Sequence, residues 1–212
     1  MLAAIIKAVV LGYTPVRMIK NIFVLILLLS AVSVKAQVTV NIQWQNIKPG
    51  NGNTGDTIYY DSDRKLTWPD FKGTPNSASP AAAITESGFG YLLAMRSLNN
   101  RTFINITVYC YFSKSKSWVK RGMKNDYALQ HEQHHYDITY INTCLFIQKL
   151  RAARLNRSNY NSLSGKIYDE CVLALNKMQD EYDGETSNGR KKEVQAEWNK
   201  KIDQQLAALI IN

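Results

Sequence analysis

The sequence predicts an α+β fold, an N-terminal, mostly antiparallel β-sheet followed by a long helix and two further helices. Three observations point there. Strand-like alternation recurs along the first half of the chain. Beyond about residue 125 the apolar residues recur at helical spacing instead. The change happens once, and no internal repeat or low-complexity tract interrupts either half.

The strands come first. Val38-Thr39-Val40-Asn41-Ile42 alternates and then gives way to a turn at Pro49-Gly50-Asn51-Gly52-Asn53. Thr57 to Tyr60 is a short β-rich run, and Leu66 to Pro75, with two prolines, reads as loop. Ala82 to Met95 resumes a strand pattern, and Asn99-Asn100 signals a turn. From Phe103 to Phe112 the alternation is clearest: Ile104, Ile106, Val108, Cys110 and Phe112 share one face, which marks them as core.

Three helices follow. The first is expected from about Asn125 to Leu155. The second runs from about Ser164 to Tyr182, with Ile167, Cys171, Leu175, Met178 and Tyr182 on one stripe. The third runs from about Lys191 to Leu209, with Val194, Trp198, Ile202, Leu206 and Leu209 on one stripe, and Gly184 to Gly189 separates the two.

The N-terminus reads as something other than fold. Lys20 and Asn21 precede the apolar run Ile22 to Leu29, and small residues lead to Ala36. A basic flank, a short apolar core and small residues before a cut mark a secretory signal peptide. Val34 and Ala36 place cleavage before Gln37, and Met18 is an alternative start that leaves a complete signal. The apolar core is shorter than the roughly 20 residues a membrane span needs. The expectation is therefore a signal peptide over 1–36 and a single domain over 37–212, secreted or periplasmic, with no stable membrane anchor after cleavage. The segment carries Lys7, Arg17, Lys20 and Lys35 and no acidic residue, so its loss lowers the formal charge from +9 to +5. The basic residues are scattered, which argues against nucleic acid as a partner. An exported chain can form disulfides. Of Cys110, Cys144 and Cys171, the last two fall on predicted helices that a bridge could join, while Cys110 reads as core.

All three histidines lie within His131-Glu132-Gln133-His134-His135. His131 and His135 are four residues apart on a predicted helix, hence on one face, where two imidazoles can take adjacent corners of a tetrahedral zinc ion. Glu132 follows the first ligand and projects beside the metal, where it can act as general base on a zinc-activated water. This is the H-E-x-x-H pattern of metal-assisted peptide hydrolysis. The bland reading is a polar helix face with clustered histidines. His134 points elsewhere, and Asp137, roughly 200° around the helix from His135, reads as structural. Ile138 and Ile141 stand where the extended motif requires Gly and His. With no histidine left, the third ligand must be a carboxylate or another oxygen donor. The acidic cluster Asp180, Glu181, Asp183 and Glu185 closes the second helix, and an antiparallel helix pair could return it to the metal.

Three stretches give the chain its resemblance to the predicted secreted zinc-dependent proteases of bacteria, a domain family of unknown function. They are Leu66 to Pro75 with Ala83 to Tyr91; Leu129 to Ile138; and Tyr182 to Gly189 with Gln195 and Trp198. The resemblance implies a zincin-like fold and one zinc ion. It favours Asp183 as third ligand, with Glu185 second. Relatives often carry His where this chain has Asn188, a departure that bears on the site if that histidine is a ligand. Tyr182 could donate to an oxyanion, or be one more buried stripe residue. The leading expectation is a zinc metallopeptidase with a peptide or protein substrate, Glu132 as base, and His131, His135 and Asp183 as ligands. The alternative is a non-catalytic envelope binding module on the same scaffold.

Overall fold

The computed structural model describes residues 37–46 and 55–209. The expected signal peptide over 1–36 and the turn at Pro49 to Asn53 lie outside them, and Gln37–Asn212 forms one compact unit.

The strand with the cleanest alternation organises the sheet. β5 (Arg101–Ser113) buries Ile104, Ile106, Val108, Cys110 and Phe112 to 1% exposure or less. β4 (Ser87–Leu98) pairs antiparallel along its length, from Leu98↔Arg101 to Ser87↔Phe112. Asn99 and Asn100 make the connection, both with positive φ, the conformation a tight two-residue hairpin demands and asparagine tolerates. On β5's other edge lie β1 (Gln37–Trp44), parallel to residues 101–108, and β2 (Thr57–Tyr59), antiparallel to residues 111–113. The sheet is thus mixed. A parallel partner is a matter of chain routing, which alternation within a strand does not encode. A separate two-stranded ribbon pairs β3 (Ala83–Ile84) with β6 (Trp118–Val119).

The helices cover the sheet's core face. α1 (Asp126–Ala152) is capped by Asn125, whose side chain accepts from the Ala128 N–H at 2.9 Å. It is buried on most sides despite many polar residues, among them His131, Glu132, Gln133, His134, Asp137, Asn142 and Thr143. A polar helix can sit there only if its side chains find partners. Asp137 shows how. Its Oδ1 accepts from the Tyr60 hydroxyl and the Gln133 amide, each at 2.8 Å, while Gln133 Oε1 accepts from the Leu66 N–H at 2.7 Å. This buried network ties the loop that begins at Leu66 to the histidine helix. Asp70 stiffens that loop by accepting from the Thr67 N–H and hydroxyl, each at 2.9 Å. Gly73 lies against the 115–117 backbone so closely that a Cβ would come within 2.6 Å of the Ser115 oxygen.

α2 (Tyr160–Thr186) and α3 (Lys192–Ala208) complete the layer. α2 passes through Gly184 and ends only at Thr186, so the expected separator shrinks to Ser187–Lys191. The chain stops being helical where Ser187, Asn188 and Gly189 take three successive positive φ angles. The bridge that could join Cys144 and Cys171 is not formed: all three cysteines are free and buried, as apolar filler. Burial pushes the Cys110 and Cys144 thiols up, the latter to about 12, so both stay protonated. Among the described residues no helix is long and apolar enough to cross a membrane.

Asp137→Ala strands two buried donors and should cost about 2–4 kcal/mol of unfolding free energy. Asp137→Asn keeps an acceptor and should cost less. Urea denaturation followed by circular dichroism measures both.

Candidate metal centre

Helix geometry supplies the first two groups. The i, i+4 spacing puts the rings of His131 and His135 edge to face, with centroids 4.7 Å apart and Nε2 atoms 3.2 Å apart. The third group arrives from the last turns of α2, which packs along α1. Asp183 Oδ1 lies 3.2 Å from His131 Nε2 and 3.1 Å from His135 Nε2. The three atoms form a nearly equilateral triangle. A tetrahedral site with bonds of ~2.0 Å to nitrogen and oxygen has edges of about 3.3 Å, so the triangle is one face of such a tetrahedron. His131, His135 and Asp183 are a group that could hold a metal ion.

Whether the residues fit a cation turns on hydrogens. His131 Nδ1 is 2.8 Å from Gln195 Oε1, and His135 Nδ1 lies against Gln179 Oε1. An amide oxygen only accepts, so each Nδ1 carries the proton and each neutral Nε2 presents a bare lone pair. Asp183 Oδ1 is buried and has no donor among its neighbours. With both rings neutral, three lone pairs meet with no hydrogen between them, and that arrangement calls for a cation. A proton is the substitute open to the metal-free protein. Burial opposes a charge on His135, but the Asp183 hydrogen bond and the Glu132 and Asp183 charges outweigh it and lift its pKa to about 8. Burial likewise opposes a charged Asp183, yet the two imidazoles overwhelm it and hold that carboxyl well below the usual carboxylate range.

Glu132 is 5% exposed and lines the same cleft, a cavity of about 410 Å³. The Thr85 hydroxyl, arriving from the segment after β3, lies 2.7 Å from Glu132 Oε2 and fixes the carboxylate. The cleft is also lined by the stretch Ala81 to Ser87 and by Asn188, Gly189 and Arg190.

The remaining candidates lie elsewhere. Glu185, the second choice for a ligand, accepts from Trp198 Nε1 at 2.7 Å and belongs to the α2–α3 contact. Asn188 lines the cleft. Tyr182 does not line the cleft; it is fully buried and stacks on His131 with centroids 4.7 Å apart. Its hydroxyl is engaged by Gln195 and the His131 carbonyl, so the oxyanion role does not suit it. His134 turns to α3, its Nδ1 2.9 Å from Asn199 Oδ1. Sequence reasoning assigned no role to Gln179, Gln195, Thr85 or Gly189. Helical spacing could have flagged Gln179, four residues before Asp183 and on its face of α2.

Comparison with protein-family models, with curated proteins and with solved structures finds no match.

Gly189 has φ +74, and a Cβ there would lie 3.3 Å from His131 Nδ1. Gly189→Ala should therefore cost about 1–2 kcal/mol for the left-handed backbone alone and disturb the His131 ring. A lower melting temperature of the metal-free protein, accompanied by weaker metal retention, is the expected result.

Proposed function

We propose that this chain is a zinc-dependent peptidase of the zincin type, exported through residues 1–36, in line with the secreted proteases its motifs resemble. The observation that carries the reading is the meeting of three potential ligand atoms, from His131, His135 and Asp183, beside a buried carboxylate in one cleft. Two nitrogens and one oxygen at tetrahedral spacing suit zinc, and three protein ligands leave the fourth position open, as in catalytic rather than structural zinc sites. Zinc bound there supplies a Lewis acid for the scissile carbonyl and lowers the pKa of water.

The chain's own residues do the rest. Glu132 takes the proton of the attacking water and hands it to the leaving amine. Thr85 keeps one Glu132 oxygen in place, leaving the other for the proton. Ala81 to Ser87 offers extended backbone along the cleft, beside which a peptide in extended form can lie.

Zinc content of the purified chain tests the site, and hydrolysis of a mixed peptide library tests the chemistry. About one zinc per chain is expected, lost in His131→Ala. Glu132→Gln should retain zinc while hydrolysis falls by about 10²–10⁴-fold. Full activity in Glu132→Gln would refute the general-base role. Zinc without hydrolysis of any peptide would favour the non-catalytic binding module, and no zinc at all would sink both readings.

A further inference from the structure

α3 carries a polar stripe beside its apolar one. Gln195, Asn199 and Asp203 recur at i, i+4 and i+8, and each faces α1. Gln195 meets His131, Asn199 meets His134 at 2.9 Å, and Asp203 Oδ1 lies 3.7 Å from His134 Nε2. The stripe runs from the interior outward: Gln195 is 1% exposed, Asn199 is half-buried and Asp203 is exposed.

The orientation of the Gln195 amide follows from its neighbours. Its Nε2 lies 2.6 Å from the Tyr182 hydroxyl and 2.6 Å from Asn199 Oδ1. Asn199 Oδ1 can only accept, so the nitrogen faces it and Oε1 is left for His131 Nδ1. Gln179 is oriented in the same manner. Its Nε2 donates to the His135 carbonyl at 2.8 Å and contacts Thr139 Oγ1 at 3.3 Å, which turns Oε1 to His135 Nδ1. Each glutamine thus has one side engaged by donation and one acceptor aimed at an imidazole.

We propose that Gln195 and Gln179 are positioning residues that lock His131 and His135 in the Nδ1-protonated tautomer, so that both Nε2 lone pairs face Asp183. Free imidazole has no such lock and divides between two tautomers. Only the Nδ1-protonated one presents an Nε2 lone pair toward Asp183, and ring rotation adds further unproductive states. The device uses neutral amides where a carboxylate is a common partner of such histidines. Two neutral imidazoles and one carboxylate leave a divalent ion with a net positive charge. A carboxylate at 195 would reduce that charge and with it the pull on a substrate carbonyl.

The proposal rests on the zinc reading only where metal affinity is measured; its tautomer arm needs no metal. Nitrogen-15 NMR of histidine-labelled, metal-free protein, at a pH where the imidazoles are neutral, reports which ring nitrogen of His131 is protonated. Nδ1 is expected. Gln195→Met keeps the reach of the side chain and removes the acceptor, so His131 should populate both tautomers. Zinc affinity, by chelator competition, should fall 10–100-fold. Gln195→Glu restores an acceptor and should restore the Nδ1 tautomer, with zinc affinity within a few-fold of wild type. Gln179→Met repeats the test at His135 on a partly exposed side chain, should the buried position fail to tolerate methionine. An Nε2-protonated His131 in the wild type overturns the proposal. So does an unchanged tautomer in Gln195→Met, or an equal loss of affinity in the Met and Glu variants, which would mark Gln195 as packing alone. A wild-type Nδ1 tautomer in a chain that takes up no zinc supports the positioning and counts only against the peptidase reading.

Discussion

Three potential ligand atoms lie within 3.2 Å of one another, and a fold that holds them there whether or not a cation is bound must be stiff. Here the stiffness comes from three helices acting at once. α1 places two imidazoles one turn apart, α2 brings Asp183 in its final turns, and α3 holds His131 from behind through Gln195. Tyr182 joins the three. Its ring stacks on His131, lies 5.0 Å from the His135 centroid and packs against Trp198 on α3 at 5.5 Å. A buried aromatic of this size contributes both area and direction, so the residue beside the proposed ligand is what seats the ligand's helix.

The same constraint explains why so polar a helix lies in the interior. Buried polar side chains are tolerable when each has a partner. On α1 they have one in every direction: Gln133 and Asp137 toward the Tyr60–Leu66 loop, Glu132 toward Thr85, His131 and His134 toward α3, His135 toward α2. The loop rich in Trp, Pro and Asp is thereby tied to the histidine helix through the Leu66 N–H and the Tyr60 hydroxyl. The α2 C-terminus closes the arrangement. Three successive left-handed residues turn the chain hard, and the Gly189 carbonyl accepts from Tyr127 at 2.6 Å, which pins the turn to the start of α1.

Local pattern was legible wherever the physics is local. The face of β5, the Asn99-Asn100 turn and the existence of three helices all follow from periods of two or 3.6 residues and from turn chemistry. The i, i+4 imidazoles and the adjacent Glu132 are of the same kind, since one helical turn sets their mutual geometry. The cysteine pairing stayed open for the opposite reason. A bridge between two helices depends on how those helices pack, and in this fold the thiols are left as separate core residues.

What the sequence by itself determined, then, is the set of elements and the part of the site that a single helix builds: His131, Glu132 and His135. Tertiary structure alone decided the rest. It set Asp183 rather than Glu185 against the imidazoles, because the α2–α1 packing angle selects one face of the last turns and sends Glu185 to Trp198. It made β1 a parallel partner and brought Thr85, Gln179 and Gln195 to the groups they orient. Thr85 and Gln195 lie 47 and 64 residues from their partners along the chain. Contacts at that distance depend on which faces meet when the layers pack, and no period within a single element records it.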